Sequence, residues 1–317
     1  MAWHLRAVAK SWIAGAIFAL TFLASLETKA QTSGDNTTII WAIPPLAPAF
    51  IWHDNTLKGY AADTQEWFTS RLPDYAHSVL EVPLARLLAE MKNGAEGELR
   101  CSTTLIPTAE RRDYIVFAKT VLLHLPNAVV IRAGEEGRFD PFLTVEGHVD
   151  LDRLLATGDL QSAVRIGRAY GTRIDTALAR HQNAAQVMTV ADDTKFLRML
   201  ELNRIDWTLY FPSEAEYYRR EQTPNLEINA LPVAGNTTLL EATIGCANTP
   251  AGQKAIAEIN AIIDQNPTMP WTDFYARWLG PNDRDWFFAA RDQYINSDHF
   301  ETRLEYNPAT TGTSQKQ

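Results

Sequence analysis

Hydroxyl and guanidinium side chains cluster in one short segment after a predicted strand. The cluster comprises Thr103, Thr104, Thr108, Glu110 and Arg111. Arginine presents a forked pair of donors that fits a carboxylate, and threonine adds single donors. The same spacing also fits a helix start, with Thr108 as N-cap and Glu110 in the first turn. Both interpretations stay open: a carboxylate-binding site and an ordinary helix N-terminus.

The sequence carries no signature of a catalytic or metal site. The seven histidines are His4, His53, His77, His124, His148, His181 and His299. No two of them are four residues apart, and none lies beside a cysteine at metal-ligand spacing. The chain also lacks a Gly-x-Ser-x-Gly elbow, a phosphate-binding loop and a dinucleotide fingerprint. We therefore predict no metal, no cofactor and no nucleophilic enzyme, although dispersed acid–base residues would escape such a search.

The N-terminus has the layout of a secretory signal peptide. Arg6 and Lys10 precede an apolar run over residues 12–26, and Ala30 comes before polar Gln31. The run is shorter than the roughly 20 residues that a spanning helix needs. We expect residues 1–30 to be a signal peptide and the mature chain to be periplasmic; an uncleaved anchor is the alternative.

The charge balance argues against nucleic acid as a partner. The chain has 29 basic and 38 acidic residues, a net charge of -9. Removing residues 1–30 takes away three basic residues and one acidic residue, so the mature chain is more acidic still. Its length lies where chains tend to divide into two lobes. No later segment is long and apolar enough to predict a membrane span.

The chain has two cysteines, Cys101 and Cys246. In an oxidising compartment they are expected to form a disulfide, whereas two buried thiols are the alternative. A bridge between residues so far apart closes a long loop and would stabilise the fold by several kcal/mol.

Strands and helices alternate along the chain. Predicted strands cover residues 37–43, 79–82, 98–105, 128–132, 164–167, 207–211 and 238–246. Predicted helices begin at Asp63, Pro83, the Gly171-Thr172 turn, Asp193 or Thr194, Thr249 and Thr272, and the last one closes at Gly280. The alternation predicts the α/β class. Residues 301–317 form a polar tail for which we predict disorder.

Several segments together resemble bacterial family 3 extracellular solute-binding proteins, the amino-acid-binding type. Thr108-Ala109-Glu110-Arg111 followed by Phe117 resembles the family's Thr-Pro-Glu-Arg to Phe-Ser segment. Other landmarks follow in the expected order: Ile43-Pro44-Pro45-Leu46, the run from Leu57 to Asp63, Gly171-Thr172, Asn203-Arg204-Ile205-Asp206 and the run from Phe274 to Gly280. They cover nearly the whole mature chain, and only the ordered set is specific.

The resemblance implies a type II periplasmic-binding-protein-like fold, with two lobes that are each a mixed sheet flanked by helices. The first lobe would take residues 35–125 and 235–300, and the second residues 126–234. Both cysteines would then lie in the first lobe. Arg111 would hold a ligand carboxylate, aided by Thr104 and the backbone around Thr108, and Thr172 would donate from the second lobe. The family also implies a monomer that works with an ABC permease or a sensor receptor.

Departures from the family pattern affect the expected ligand. An Asp that holds the ligand ammonium is replaced in register by Phe211, and Ile106 stands where a hydroxyl residue is usual. These changes favour an anionic or aromatic compound over a standard amino acid. Four rings are candidate contacts: Trp41, Tyr60, Tyr210 and Phe211. The alternative is that these rings lie in the cores of the lobes.

Three functions are compatible with these observations. The leading one is binding of a small solute, without turnover, for a transporter or a sensor. The second is an enzyme of the dehydratase or lyase type on the same scaffold, which needs an acid or histidine in the cleft; Glu110 and Asp206 are the only acids in the motifs. The third is a ligand-free interaction module.

Overall fold

The computed structural model describes residues 37–93 and 98–297. The predicted signal peptide, residues 1–30, and the predicted tail, residues 301–317, lie outside the described residues. Within the two described stretches, no helix combines the length and the apolar character needed to cross a membrane.

Thirteen strands and ten α-helices make up the described part of the chain. The strands are β1 (Thr38–Ile43), β2 (Ile51–His53), β3 (Thr56–Lys58), β4 (Ala76–Glu81), β5 (Leu99–Leu105), β6 (Ile115–Phe117), β7 (Leu122–His124), β8 (Ala128–Arg132), β9 (Ser162–Arg165), β10 (Val187–Val190), β11 (Trp207–Tyr210), β12 (Ile228–Leu231) and β13 (Leu240–Ala247). The helices are α1 (Tyr60–Thr69), α2 (Leu84–Asn93), α3 (Ala109–Arg112), α4 (Leu151–Thr157), α5 (Thr172–Arg180), α6 (Phe196–Glu201), α7 (Pro212–Gln222), α8 (Pro250–Asp264), α9 (Asp273–Ala276) and α10 (Pro281–Asn296). The predicted α/β class is confirmed.

The first sheet has the strand order β4-β1-β5-β13-β6, and β7 also pairs with β13. Strands β1, β4 and β5 are parallel, whereas β13 runs antiparallel to its neighbours. Cys101 on β5 and Cys246 on β13 are register partners and form a disulfide. Both are fully buried, and the predicted bridge is confirmed.

The second sheet has the order β10-β9-β11-β8-β12 and uses only strands between residues 128 and 231. Strands β9, β10 and β11 are parallel, and β8 is antiparallel to β11 and β12. Side chains alternate across a strand, so Trp207 and Leu209 of β11 face one hydrophobic cluster and Tyr210 faces another. This sheet is therefore buried on both faces.

The chain passes between the two sheets twice. Residues 125–127 connect β7 to β8, and residues 232–239 connect β12 to β13. The two connections are joined, because the Asn236 side-chain amide donates to the Asn127 carbonyl over 2.9 Å. Each sheet therefore meets the other at this pair of crossing segments.

Two helix predictions differ from the structure. Helix α1 begins at Tyr60 rather than after Asp63, because the carbonyls of Pro48 and Ala49 accept from the first amides of the helix. The helix that ends before Gly280 is not the last one. Helix α10 follows it, with Gly280 as N-cap and Pro281 in its first turn.

Candidate ligand-binding cleft

Several of the residues predicted to bind a ligand lie at or just after the carboxyl ends of parallel strands. In the first sheet, β5 ends at Leu105, just before the Thr108–Arg111 segment. In the second sheet, β9 ends at Arg165 and β11 at Tyr210. Ligands of open α/β sheets gather at these edges, because the loops there converge. The carboxyl edges are therefore where a site has to be sought.

Thr108 and Arg111 form a helix start in the structure. Thr108 is the N-cap of α3, and its hydroxyl accepts from the backbone amide of Arg111 at 3.2 Å. The Arg111 guanidinium donates to the Ile106 carbonyl at 2.9 Å. Among residues 37–93 and 98–297, Arg111 forms no ion pair, so its remaining donors have no acidic partner there. Thr104 is half-buried near the end of β5.

Thr172 lies on the second sheet's side. It is exposed and is the first residue of α5, behind the N-cap Gly171. No hydrogen bond in the described stretches joins Thr172 to Arg111. The structure therefore does not bring these two predicted ligands into direct contact.

Three of the four predicted rings lie in the cores, and two of them, Trp41 and Tyr210, are fully buried. Trp41 is fully buried in the first core, where its indole nitrogen donates to His77 Nδ1 over 3.1 Å. Tyr210 is fully buried in a second-sheet core, and its hydroxyl donates to the Asp193 carbonyl. Strand positions inside a covered sheet point into its packing layers, which accounts for the burial of both rings.

Tyr60 lies at the junction of the two sheets. Its ring packs edge-on against His124 and Tyr275, with 5.2 Å between ring centres in each pair. Burial raises the pKa of the Tyr60 hydroxyl well above its ordinary value, with further contributions from Tyr275 and Glu214. Because Glu214 belongs to α7, beyond the second sheet, Tyr60 lies near groups from both sheets.

His124 ends β7, immediately before the first crossing segment. Burial lowers its pKa to about 4, so the ring is neutral at physiological pH. Its Nε2 has no hydrogen-bond partner within the described residues. Tyr275 beside it accepts from the Leu125 amide at 3.1 Å and from the Ser213 hydroxyl of α7. A polar cluster therefore ties the crossing segment to the start of α7.

A second polar cluster, not predicted from the sequence, surrounds Arg168 in the loop after β9. The guanidinium donates to Asp193 Oδ2 at 3.0 Å and to Glu214 Oε2. The central carbon of the guanidinium, Cζ, lies 5.4 Å from the ring centre of Tyr170, 5.8 Å from that of Tyr210 and 5.5 Å from that of Phe211. The Arg168 cage consists of Asp193, Glu214, Tyr170, Tyr210 and Phe211.

Sequence reasoning named Tyr210 and Phe211 as contacts but not the cage, because Arg168, Asp193 and Glu214 lie in separate segments after β9, β10 and β11. Two of the predicted contacts belong to the cage: Tyr210, the last residue of β11, and Phe211, the half-buried N-cap of α7. The available signal was a pair of arginines, Arg165 and Arg168, around the end of a predicted strand. Their acidic partners lie 28 and 25 residues away at Asp193, and 46 residues away at Glu214.

Electrostatics of the cage follow from its burial. Burial raises the pKa of Glu214, and the charge of Arg168 only partly opposes this. Burial disfavours the charge of Arg168 as well, but Glu214 and Asp193 outweigh it and leave its pKa above the ordinary value.

No group of three or more His, Cys, Asp or Glu side chains suited to a metal ion occurs in residues 37–93 and 98–297.

Solved structures share this arrangement of two sheets at low sequence identity. The L-cystine solute receptor of Neisseria gonorrhoeae, in its unliganded open conformation, is similar with a TM-score of 0.53 and 15% identity over 73% of this chain and 87% of that chain. An ancestral cationic amino acid solute binding protein is similar with a TM-score of 0.54 and 12% identity over 77% of this chain and 96% of that chain. The fold is that of a two-lobed type II periplasmic binding protein.

No protein-family model matches the chain, and no curated protein sequence matches it. The periplasmic-binding-protein fold is therefore established by structure, while the ligand has to be argued from the site.

Proposed function

We propose that this protein binds a small carboxylate-bearing solute in the cleft between its two lobes. The observation that carries the proposal is the pair of crossing segments, residues 125–127 and 232–239, which join two sheets in a fold shared with an L-cystine receptor and an amino acid binding protein. A cleft spanned by two short connections can close over a ligand by hinge motion. The lobes would cover residues 35–125 with 235–300, and residues 126–234.

Arg111 is the proposed carboxylate anchor. Its capping contact with Thr108 uses a backbone amide, so most of the guanidinium donors stay free for an external anion. Thr104 supplies a hydroxyl from the same strand end, and Thr172 supplies one from the second lobe. Phe211 would contact the body of the solute.

The proposal also includes export and a partner. Residues 1–30 would be removed on secretion, and the mature periplasmic protein, acting as a monomer, would deliver its solute to an ABC permease or present it to a sensor. Mass spectrometry of protein secreted to the periplasm tests the first part: a mature N-terminus near Gln31 is expected. Retention of the full N-terminus in the membrane fraction would contradict it.

The decisive experiment is a thermal-shift screen of the mature protein. The compounds are amino acids, aliphatic and aromatic carboxylates, sugars and oligopeptides. A solute that binds only the folded protein adds roughly 2.7 kcal/mol to the free energy of unfolding at a hundredfold excess over Kd. The melting temperature rises as a result. We expect a carboxylate hit that Arg111→Ala abolishes and Arg112→Ala, an exposed neighbour of equal charge, retains. A compound that stabilises wild type and Arg111→Ala equally would show that Arg111 is not the carboxylate anchor. If no compound raised the melting temperature, a ligand-free interaction module would be favoured.

Proton-transfer catalysis on the same scaffold is a second candidate. Glu214 favours it, because this acid is buried at the junction of the lobes and its pKa is raised by burial. A dehydratase or lyase needs such a group beside its substrate. NMR of each binding compound after incubation with the protein tests this candidate. Product that Glu214→Gln abolishes would support an enzyme, and unchanged compound would reject one.

A further inference from the structure

The Arg168 cage has the composition of a site for an organic cation. Two carboxylates offer four acceptor oxygens, and three aromatic rings lie within about 6 Å of the charged carbon, the range of cation–π attraction. Proteins hold guanidinium and ammonium ligands with these two kinds of group. Here the cation is a side chain of the chain itself.

The walls of the cage are held by contacts that do not involve Arg168. The Tyr210 hydroxyl donates to the Asp193 carbonyl, and the Tyr170 hydroxyl accepts from the Arg165 amide at 2.8 Å. The Tyr170 carbonyl accepts from the Asn127 side chain at 3.0 Å. Asp193 keeps a second partner, Arg165, at 3.3 Å. The site would therefore keep its shape if the side chain of Arg168 were removed.

Arg168 enters the cage from an exposed loop. Its neighbours Ile166, Gly167 and Ala169 are all exposed, whereas the side chain of Arg168 is only 14% exposed. The guanidinium is thus inserted from the solvent side at the carboxyl edge of the second sheet. A small cation of the same shape could follow the same path once the side chain is cut back.

We propose that Arg168 is a built-in occupant of a cation-binding site at the second lobe's carboxyl edge, a site that would otherwise take the guanidinium or ammonium group of a ligand. Arg168 then acts as a specificity-determining residue. One consequence rests on the proposed function: the solute of the wild-type protein carries no cationic group at this edge.

The cage is tested first without any solute, using Arg168→Ala and methylguanidinium. We expect the melting temperature of Arg168→Ala to lie below that of the wild type, since Glu214 loses its cationic partner and Asp193 loses one of two. Millimolar methylguanidinium should raise it by about 3 °C or more relative to sodium chloride of equal ionic strength. The wild type should show no such rise, because its site is filled.

Arg219→Ala is the matched control. Arg219 donates to both oxygens of Glu216 on α7, and in the described stretches no aromatic ring lies under its guanidinium. Methylguanidinium should not restore this variant. Arg168→Ala combined with Glu214→Gln should fold but lose most of the methylguanidinium effect, because one carboxylate is gone. An absent shift in Arg168→Ala, or an equal shift in Arg219→Ala, would overturn the cage.

If Arg168→Ala does not fold by itself, refolding yield replaces the melting temperature as the readout. Recovery of the monomer with an intact disulfide should require methylguanidinium. Equal yields with and without it would count against the proposal.

A second measurement separates the cage from the proposed function. Free arginine and its desamino or carboxylate-only analogues are titrated into wild type and Arg168→Ala. Arginine should bind Arg168→Ala at least about tenfold more tightly than wild type, whereas carboxylates without a cation should bind both. Methylguanidinium rescue without any solute binding supports the cage and rejects the proposed function. Tight binding of a cationic amino acid to the wild type rejects the specificity inference.

Discussion

At the scale of single residues, Thr108 and Arg111 form a helix start that also holds the Arg111 side chain in place. Thr108 accepts from the Arg111 backbone amide, and the Arg111 side chain donates to the Ile106 carbonyl. These contacts fix the position of the guanidinium, yet they use few of its donors. The helix-cap and ligand-anchor interpretations are therefore compatible. A preset arginine also loses less conformational entropy when it binds an anion.

Asp283, at the start of α10, should make stability depend on pH. Burial raises its pKa to about 7, with Glu216 adding to the shift and a hydrogen bond from the Ala230 backbone opposing it. The pKa of Asp283 in the folded state lies above its ordinary value of 3.8, so the folded protein favours the protonated acid. The free energy of unfolding is therefore unaffected by this group below pH 3.8 and falls as the pH rises towards 7. Between these pH values the free energy of unfolding should fall by roughly 4 kcal/mol.

Urea unfolding of wild type and Asp283→Asn between these pH limits measures the effect. The amide resembles the protonated acid, so the variant should gain stability relative to wild type as pH rises and level off above neutrality. Parallel pH profiles for the two proteins would show that Asp283 titrates normally.

The disulfide should contribute a large share of stability. It joins two central strands whose cysteines are 145 residues apart, so it restricts a long stretch of the unfolded chain. Replacing both Cys101 and Cys246 by Ser should lower the free energy of unfolding by about 2–5 kcal/mol. Urea unfolding of the double variant, with reduced wild type as control, checks this. An unchanged midpoint in both would contradict it.

At the scale of elements, α1 depends on a glycine at its entrance. Gly59 has φ 118°, and a Cβ there would lie 2.3 Å from the Ala49 carbonyl oxygen. The carbonyls of Pro48 and Ala49 are the acceptors for the first amides of α1. Close approach of the chain therefore both satisfies the helix start and excludes a side chain. Tyr60, the first residue of the helix, is positioned at the junction by this contact.

Gly59→Ala should destabilise the fold more than substitution at an uncrowded glycine. Gly147 also has a positive φ, 77°, but a Cβ there meets nothing within 4 Å. Gly147→Ala should cost about 1 kcal/mol, from backbone strain alone, and Gly59→Ala at least about 2 kcal/mol more. Thermal unfolding of both variants gives the comparison. Equal losses would mean that the chain segment around Ala49 yields easily.

Helix α10 adds a contact between the two lobes. Its Asn282 side chain donates to Asn229 of β12 at 3.0 Å, while Phe287 is fully buried in the first core. Arg220 of α7 donates to the Arg277 carbonyl just before it, at 3.1 Å. The terminal helices therefore lie against the second lobe beside the second crossing segment.

At the scale of the whole molecule, two connections join the two sheets. The first crossing, residues 125–127, and the second, residues 232–239, are hydrogen-bonded to one another through Asn127 and Asn236. The proposed function requires rotation about this pair, which would open or close the carboxyl edges over the solute. Tyr275 also contacts Leu125 of the first crossing segment and Ser213 of α7.

A solute that binds in the cleft should compact the molecule. Small-angle X-ray scattering should show a smaller radius of gyration when a saturating carboxylate hit is added, since closure brings the lobes together. Arg111→Ala should show no change at the same concentration. Binding with an unchanged radius would point to a cleft that is already closed.

Much of this fold follows from local patterns in the sequence. The strand over residues 128–132 coincides with β8, because a short run of β-branched and small apolar residues bounded by polar ones has few alternatives. The alternation of strands and helices gave the α/β class, and oxidising export gave the pairing of Cys101 with Cys246. Helix starts were less accurate, since distant carbonyls rather than Asp63 satisfy α1.

Only the tertiary structure decided which side chains meet. Trp41 and Tyr210 belong to cores because their strands are covered on the faces where they point, and this depends on strand order rather than on residue type. Arg168 follows β9, Asp193 follows β10 and Glu214 lies in the first turn of α7 after β11, so their charges are brought together only when β9 and β11 pair and β10 joins β9 at the edge. The sequence predicted part of the elements and the one disulfide between them; the packing of the elements determined the cage, because contacts between residues far apart in the chain leave no local pattern.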